Sequence, residues 1–329
     1  VRPLIHRMLG QPDDAGETVP VEPTRKIASK LGVEEFLRVK LGQVGDRIVA
    51  TPLPRGAGSI TSITEADGII RIPTHIEGIN DRERVSAQLL RPLPAILRTI
   101  VIVGSHDNTL DVLADQIKAK HSRLTLSSSH VGSMGGLMAI KRGVCHLAGC
   151  HLLDPQDGSY NVSYIQKFLG QVDVKLVNLV LRDQGLIIRR GNPKSIKGIE
   201  DLARSDISFI NRQAGSGTRI LLDFRLNQIG IDPADINGYH HEEFTHMAVA
   251  VAVLSGTVDT GLGIHAAAAA LDLDFIPVVT EQYDLIIPAE YFDSENIQLL
   301  LDAVNSRKFK NRVNALGGYS TEKTGEIIL

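Results

Sequence analysis

The sequence lacks the features that mark membrane proteins and small disulfide-rich proteins. It contains no tryptophan, only two cysteines (Cys145 and Cys150), and 4% aromatic residues. Two cysteines cannot form a disulfide framework. The longest apolar runs, such as residues 247–254, are far shorter than the ~20 residues of a membrane span, and no basic N-terminal region precedes an apolar stretch. These absences predict a cytoplasmic chain that does not enter a membrane.

The charge balance gives no indication of a nucleic-acid partner. The 35 lysines and arginines are outnumbered by 38 acidic residues, for a formal net charge of -3. Nonspecific nucleic-acid binding depends on a basic surface, so we expect none here. A chain of 329 residues predicts about two domains at roughly 150 residues each. Each is large enough to fold without disulfides or a structural metal.

Residues 1–95 have the pattern of a small all-β domain. Strand-like runs separated by glycine and proline are predicted at residues 33–41, 47–53, 69–72 and 84–90. Such punctuation is typical of a small barrel or sandwich. The following residues, Arg91-Pro92-Leu93-Pro94, lose two backbone donors and have two fixed φ angles, so we interpret them as a stiff linker.

From residue 99 to residue 329, strands alternate with helices. Strands are predicted at 99–103, 124–127, 144–151, 207–210 and 258–264, and helices at 110–120, 136–142, 216–229 and 245–255. The alternation favours βαβ units and a parallel sheet with helices on both faces. The alanine-rich segments 248–254 and 266–271 are interpreted as packed core. The predicted fold class is α/β, with an all-β N-terminal barrel or sandwich followed by a two-lobed domain.

The two halves of the α/β region resemble each other. Each opens with a strand that runs into a Ser/Gly loop and a helix, at residues 103–106 and 210–219. The β-rich run 174–190 would cross between the lobes, and 283–288 would cross back. Facing α/β sheets present the carboxyl ends of their strands to one cleft, where such folds bind ligands. The sequence therefore predicts a two-lobed ligand-binding module.

The strongest local motif is Gly-Ser-Gly-Thr-Arg at residues 215–219, between a buried strand and an amphipathic helix. Its glycines let the backbone approach a ligand, and Ser216 or Thr218 is expected to cap the helix, whose free N–H groups attract anions. Arg212 and Arg219 flank the loop and could clamp an oxyanion through forked hydrogen bonds. The alternative is a capped helix with two surface arginines.

Two loops of the first lobe match this motif. In the first, Ser105 is a candidate ligand donor, and Asp107 or Asn108 is the expected helix cap. Ser, His and Asp are consecutive there, but neighbouring side chains point in different directions, which argues against a catalytic triad. In the second loop, residues 127–136, Ser133 is the best further donor; the alternative is a flexible connection with a helix cap. No nucleophile–base pair is evident in the sequence.

The histidine and cysteine spacings do not predict a metal centre. His241 would need a partner histidine at position 245, which is threonine, and the Cys-His pairs at 145–146 and 150–151 lack the spacing of a closed zinc site. His151, at a predicted strand end, fits a position lining the cleft. Neither a G-x-G-x-x-G motif after the first strand nor a P-loop lysine motif is present, so a nucleotide cofactor is not expected.

Residues 1–95 resemble the C-terminal β domain of molybdopterin molybdenumtransferases, which insert molybdate into the adenylylated pterin. The resemblance rests on residues 54–60 (Pro-Arg-Gly-Ala-Gly-Ser-Ile) and 66–73 (Ala-Asp-Gly-Ile-Ile-Arg-Ile-Pro). Residues 1–10 resemble the last helix of the catalytic domain that precedes it. That catalytic domain is missing from the sequence, so the resemblance implies no turnover by this chain alone.

Residues 99–329 are similar to the periplasmic-binding-protein-like (type II) domain found fused to such transferases and to helix-turn-helix regulators. This domain is related to molybdate- and tungstate-binding proteins, and it is similar to LysR-type substrate-binding domains. The motifs that carry the similarity are 104–107 (Gly-Ser-His-Asp), 148–152 (Ala-Gly-Cys-His-Leu), 211–219 and 258–263 (Val-Asp-Thr-Gly-Leu-Gly). The arginines and histidines near these loops also leave room for a larger anion, such as a phosphorylated pterin.

The resemblances imply the C-terminal part of a molybdenum cofactor biosynthesis protein whose cleft binds molybdate or tungstate for delivery or sensing. The alternative is a regulatory module that senses a pterin or another small anionic metabolite. We expect no covalent cofactor and no bound metal centre. Molybdopterin pathway proteins are the expected partners, and a homodimer is left open because the resembled transferases commonly dimerise. The expected ligand-binding residues are Ser105, His106, Ser133, His151, Arg212, Ser216, Gly217, Thr218, Arg219 and Tyr283.

Overall fold

The computed structural model of the chain describes residues 7–10, 16–56, 61–81 and 83–329. Residues 1–6 and 57–60, on which part of the transferase resemblance rests, lie outside this range. The chain separates into two compact units, residues 1–101 and 102–329. Within the described ranges, no helix is long and apolar enough to cross a membrane.

The first unit contains a closed β-barrel. The strands of this unit are β1 (Thr18–Pro23), β2 (Ile27–Ala28), β3 (Glu35–Val44), β4 (Arg47–Pro52), β5 (Gly68–Ile72), β6 (Gly78–Ile79) and β7 (Val85–Leu89). The barrel order is β1-β4-β3-β5-β7, and β2 pairs with β6 in a separate ribbon. The predicted all-β domain is therefore confirmed, and it is a barrel.

Alternation along β3 explains why the barrel closes around one core. Leu37, Val39 and Leu41 are buried and share one face, because successive side chains of a strand point to opposite sides. The first unit also has short helices α1 (Thr61–Glu65) and α2 (Leu93–Ile96). The predicted stiff linker leads directly into α2, whose first turn tolerates proline because its N–H groups need no intrahelical acceptor.

The first lobe of the second unit is built on three strands. Its elements are β8 (Thr99–Gly104), α3 (Asn108–Lys120), β9 (Thr125–His130), α4 (Gly132–Arg142), β10 (Ala148–Cys150) and α5 (Val162–Leu169). The strand predicted at 144–151 is therefore shorter, and α4 begins before the predicted residue 136. At Gly136 a Cβ atom would lie 2.9 Å from the carbonyl oxygen of Val103, so glycine lets this helix pack directly on the strand.

Two long strands cross between the lobes, β11 (Val174–Ile188) and β15 (Asp274–Pro288). They pair antiparallel along almost their whole length, with Arg182 directly opposite Glu281. The return crossing is longer than the predicted 283–288, because residues 274–282 continue the same ladder. A short strand, β16 (Tyr319–Ser320), pairs with β11.

The second lobe and the C-terminal helices complete the unit. Their elements are β12 (Phe209–Arg212), α6 (Gly217–Ile229), β13 (Glu242–Glu243), α7 (His246–Leu254), β14 (Thr260–Ile264), α8 (His265–Ala269), α9 (Ala289–Phe292), α10 (Glu295–Asn305) and α11 (Arg307–Asn314). The sheet runs β10-β15-β11-β14-β12-β13, with β12 parallel to both of its neighbours. The predicted two-lobed α/β architecture is confirmed, but the sheet is mixed and not parallel, because β11 and β15 pair antiparallel with each other, and antiparallel with β14 and β10, respectively.

Helix α7 is only partly the core helix that its composition predicts. Val249 and Val253 are fully buried, whereas Val251 and Leu254 are about half exposed. The helix is apolar on all sides. One face is buried because it packs on the sheet, and the opposite face is exposed although it is not polar. The second alanine-rich segment is also only partly core, since Ala266, Ala267 and Ala268 are buried in the same core whereas Ala269 and Ala270 are exposed.

Candidate functional site

The two predicted helix-capping loops stand at the ends of β8 and β12. The carboxylate of Asp107 accepts from the N–H of Thr109 at 2.8 Å and caps α3. The hydroxyl of Ser216 accepts from the N–H of Arg219 at 3.2 Å and caps α6. Asp107 and Ser216 are therefore the caps, and Asn108 and Thr218 are not. Both helix N-termini meet the carboxyl ends of their strands, as in other α/β ligand sites.

Loops from the two lobes approach each other closely. A Cβ atom at Gly132 would lie 3.5 Å from the carbonyl oxygen of Gly215. A Cβ atom at Gly217 would lie 2.5 Å from Nδ1 of His151, which leaves room only for glycine. The first turn of α6, whose N–H groups have no intrahelical acceptor, is thereby placed against the His151 ring.

His151 links Ser105 to Glu281 through its two ring nitrogens. The Oγ atom of Ser105 lies 2.8 Å from Nε2, and Oε2 of Glu281 lies 3.0 Å from Nδ1. All three residues are buried. This is the nucleophile–base–acid order of a triad. This serine–histidine hydrogen bond joins residues 46 positions apart, which spacing in the sequence could not reveal.

The crossing strands supply the charges behind His151. The guanidinium of Arg182 bonds Glu281 on one side and Asp107 on the other. Gln184 also donates to Glu281, and the hydroxyl of Tyr319 donates to Asp107 at 3.1 Å. Because two carboxylates face one buried guanidinium, the charges here are paired, although Nη2 of Arg182 and Oε1 of Gln184 have no hydrogen-bond partner among the described residues. Glu281 holds the His151 ring in position.

Burial and the neighbouring charges set the protonation states of Glu281 and His151. Burial would raise the pKa of Glu281, but Arg182 and His151 outweigh it and lower that pKa to about 2. Burial lowers the pKa of His151 below its ordinary value, against the opposing charge of Glu281. At neutral pH the site therefore holds an ionised Glu281 beside a neutral imidazole.

Arg212, in contrast, is buried without satisfying its donors. It is 4% exposed, and within the described ranges its Nε and Nη1 atoms have no hydrogen-bond partner. Burial, followed by repulsion from Arg182, lowers the pKa of Arg212 to about 10. An unpaired buried donor costs about 1–3 kcal/mol and more when it is charged, so this guanidinium favours an incoming anion.

Two further polar atoms near Arg212 are also buried and unsatisfied in the described part of the chain. They are Oγ1 of Thr218, in the first turn of α6, and Nδ1 of His246, in the first turn of α7. Burial and then the charge of Arg212 lower the pKa of His246 well below its ordinary value. The site therefore offers a permanent cation, a hydroxyl and a neutral imidazole whose partners are missing.

Some predicted residues take supporting positions. The Ser133 hydroxyl accepts from the backbone N–H of His151 at 3.2 Å, and the Tyr283 hydroxyl donates to the carbonyl oxygen of Ser105 at 2.6 Å. His106 packs edge-on against His130 at a ring-centroid distance of 4.5 Å. Arg219 pairs with Asp223 and stacks on a tyrosine ring. The structure therefore groups Ser105, His151, Arg212, Gly217 and Thr218, while Arg219 is already paired.

The sequence reasoning missed several residues of this group. They are Arg182, Gln184, His246 and Glu281. One signal was present: Arg182 and Gln184 interrupt an apolar strand at alternate positions, so they share a face of a buried element. No comparable local signal marks Glu281, which is recruited by pairing with β11.

A further buried carboxylate, Asp284, supports the segment after His151. Asp284 accepts from the side-chain amides of Asn161 and Asn178 at 2.8 and 2.9 Å. Asn161 in turn accepts from the backbone N–H of Leu152 at 2.7 Å. Burial raises the pKa of Asp284 to about 6, although the amide hydrogen bonds oppose this.

Metal-ligating side chains and the two cysteines are the other candidate functional groups of the chain. Among the described residues, no group of three or more His, Cys, Asp and Glu side chains is placed to hold a metal ion. Cys145 and Cys150 are buried free thiols, and burial raises the pKa of both. They are packed as core residues rather than as ligands.

The second unit has two lobes, and two long strands cross between them. Polar loops meet at the crossing, and this architecture defines a two-lobed ligand-binding domain. A family model described as the PBP superfamily domain matches residues 114–305, more than half of the chain, and the chain belongs to this family. A model of the MoeA C-terminal region (domain IV) matches residues 20–90. Both resemblances derived from the sequence are thereby confirmed.

Relatives and a solved structure agree with this assignment. The uncharacterized protein YvgK of Bacillus subtilis (strain 168) is 36% identical over 232 residues, which are 70% of this chain and 74% of YvgK. An uncharacterized protein encoded in the 5′ region of a 2Fe-2S ferredoxin gene of Clostridium pasteurianum is 39% identical over 110 residues, 33% of this chain and 97% of that protein. A phosphate-bound substrate-binding protein assigned to a phosphate ABC transporter of Clostridium perfringens has the same fold, with a TM-score of 0.51 and 15% identity over 68% of this chain and 98% of that chain.

Proposed function

We propose that residues 102–329 bind a small oxyanion, molybdate or tungstate, between the two lobes. The observation that carries this proposal is the buried guanidinium of Arg212, whose Nε and Nη1 atoms have no hydrogen-bond partner in the part of the chain that the structure describes. An oxyanion would accept from an N–H group of this guanidinium and neutralise its charge. The first turn of α6, with the Thr218 hydroxyl and the free N–H groups, supplies further donors on the same side as His151.

The molybdenum cofactor is the proposed setting, because residues 20–90 match the MoeA C-terminal region. A metal-binding module on the same chain as that region would raise the local concentration of molybdate or report its supply. The phosphate bound to the Clostridium perfringens protein illustrates that this fold can hold an oxyanion. A phosphorylated pterin is the alternative ligand and is one arm of the test below.

The test is calorimetric titration of the full chain with molybdate, tungstate, sulfate, phosphate and a phosphorylated pterin in turn. We expect saturable binding of molybdate and tungstate at micromolar or lower dissociation constants, about −8 kcal/mol or stronger. The variant Arg212→Met should lose this binding, whereas Arg204→Met, which changes a partly exposed arginine of the same lobe, should retain it. If only the pterin binds, the ligand of the site is an organic anion and not a metal oxyanion.

A second candidate function is ester hydrolysis by Ser105. One observation favours it, the order Ser105–His151–Glu281 with separations of 2.8 and 3.0 Å. His151 would accept the Ser105 proton as Oγ attacks an acyl carbon, and would return it to the leaving group. A fluorophosphonate probe checks this candidate: labelling of the wild type that is lost in Ser105→Ala supports it, and an unlabelled wild-type protein rejects it.

A further inference from the structure

The hydrogen-bond chain through His151 has a defined direction. Glu281 is ionised, because Arg182 holds its pKa at about 2, and a carboxylate can only accept. Its Oε2 atom lies 3.0 Å from Nδ1 of His151, so Nδ1 must carry a hydrogen. In the neutral imidazole, Nε2 is then an acceptor.

This direction determines what Ser105 offers to a ligand. The only hydrogen on Ser105 Oγ is donated to Nε2 of His151, 2.8 Å away. Only lone pairs of Oγ remain for a ligand in the cleft. Molybdate and tungstate are fully deprotonated dianions at neutral pH and also present only lone pairs. With neutral His151, Ser105 and such an anion repel each other.

We propose that His151 takes up one proton when the cleft binds a fully deprotonated oxyanion. The inference rests on the proposed oxyanion function. The proton, drawn from solvent, binds Nε2, which then donates to Ser105 Oγ. The Ser105 hydroxyl hydrogen is released to donate to the anion, and Glu281 continues to accept from Nδ1 of the imidazolium.

The groups around His151 allow this switch. They are Glu281 and Tyr283 from β15, Arg182 and Gln184 from β11, Arg212 from β12 and His246 from α7. Without a ligand, burial and the charges of Arg182 and Arg212 favour neutral His151, and Glu281 opposes them. A bound dianion without a hydrogen adds negative charge beside Arg212 and also needs a donor from Ser105, and the two together shift the balance to the imidazolium.

The switch makes the selectivity of the cleft depend on pH. Hydrogen phosphate brings its own hydrogen and donates it to the Ser105 lone pair, so His151 stays neutral. Molybdate binding should weaken by up to tenfold for each unit rise in pH above the pKa of His151, and phosphate binding should not. The ratio of the two affinities therefore moves toward phosphate as pH rises.

The experiment is titration of the full chain with molybdate and with phosphate at about pH 8 in two buffers of different ionisation enthalpy. The buffer dependence of the heat gives the number of protons taken up. We expect about one proton per molybdate and close to none per phosphate. His151→Gln should abolish the uptake with molybdate, and His75→Gln, an exposed histidine of the first unit, should leave it unchanged.

The tautomer gives an independent readout that does not depend on a variant. Nitrogen NMR of the free protein should show His151 neutral with hydrogen on Nδ1, and molybdate should convert it to the imidazolium. Molybdate binding without proton uptake, or uptake that persists in His151→Gln, would overturn the inference and leave the proposed function intact. Failure of every anion to bind would overturn both.

Discussion

Ser105 and His151 lie at the ends of neighbouring strands of the first lobe, with Oγ of Ser105 2.8 Å from Nε2 of His151. The backbone brings them together, because the N–H of Ser105 donates to the carbonyl oxygen of Gly149 at 2.9 Å. The crossing strands then fix the imidazole from behind through Glu281. The three side chains therefore form one continuous hydrogen-bonded chain, and Arg212 is buried close enough to lower the pKa of His151, with two donor atoms that have no hydrogen-bond partner among the described residues.

Replacing Arg212 should have opposite effects on binding and on stability. Arg212→Met removes the buried cation and should weaken oxyanion binding by at least about 30-fold, because truncating one partner of a buried charge pair costs about 2–5 kcal/mol. The ligand-free protein should become more stable by about 1 kcal/mol or more, since its unpaired donors are removed. Calorimetry and denaturant unfolding measure the two effects.

Arg204, which is partly exposed and pairs with Asp206, provides the matched control. Arg204→Met should change neither quantity by more than about 0.5 kcal/mol, as is usual for surface substitutions. A ligand-free Arg212→Met protein that is less stable than the wild type would show that Arg212 is already satisfied without a ligand.

Gly217→Ala tests the close approach of α6 to His151. The added methyl would lie 2.5 Å from Nδ1, so the ring or the helix must move, at a cost of about 1–3 kcal/mol in unfolding free energy. Anion binding should also weaken, because the helix N-terminus moves away from the site. The same substitution in a His151→Ala background should cost less, and the remaining cost should come from the carbonyl oxygen of residue 151, which would lie 2.8 Å from the added methyl. Equal costs in both backgrounds would mean that the contact with His151 does not constrain Gly217.

The raised pKa of Asp284 should make the unfolding free energy of the protein depend on pH. Its pKa is raised from 3.8 to about 6 in the folded protein. The stability it contributes is therefore fully present below pH 3.8 and is lost as pH rises through 6. Relative to Asp284→Asn, the wild type should lose about 3 kcal/mol of unfolding free energy across this window. Denaturant unfolding of both proteins at a series of pH values measures the difference, and a flat difference would contradict the raised pKa.

Asp107 should be essential for stability because it serves two elements. It caps α3 and pairs with the buried Arg182. Asp107→Asn should lower the unfolding free energy by about 3–5 kcal/mol, as expected when one partner of a buried ion pair is lost. Asp115→Asn, on the exposed side of the same helix, is the control and should have little effect. Similar unfolding midpoints for both variants would argue against a stabilising role for the Arg182 pair.

Much of the fold could be predicted, because its signals are local. Glycine and proline separate the barrel strands, and strand–helix alternation indicates the two lobes. The length of β15 could not be predicted, since residues 274–282 become a strand only through pairing with β11, about a hundred positions away. Similarly, α4 extends into a glycine-rich segment, where Gly136 packs against the end of β8, about thirty positions earlier in the chain.

The candidate site was only partly predictable for the same reason. The loop residues Arg212, Ser216 and Ser105 carry signals in the types and spacing of their neighbours. Glu281 carries none, because it joins the site by standing opposite Arg182 in the antiparallel ladder. Whether an arginine is unsatisfied is also a property of the folded chain: Arg212 and Arg219 flank the same loop, yet only Arg219 meets a carboxylate there.

The most direct test of the central claim is anomalous diffraction at the tungsten edge from crystals of the full chain grown with tungstate. We predict one strong peak in the second unit, within hydrogen-bond distance of the Arg212 guanidinium and the first turn of α6. The same peak should be missing from crystals of Arg212→Met. A tungsten peak bound only in the barrel, or no ordered peak at saturating tungstate, would contradict an oxyanion site between the lobes.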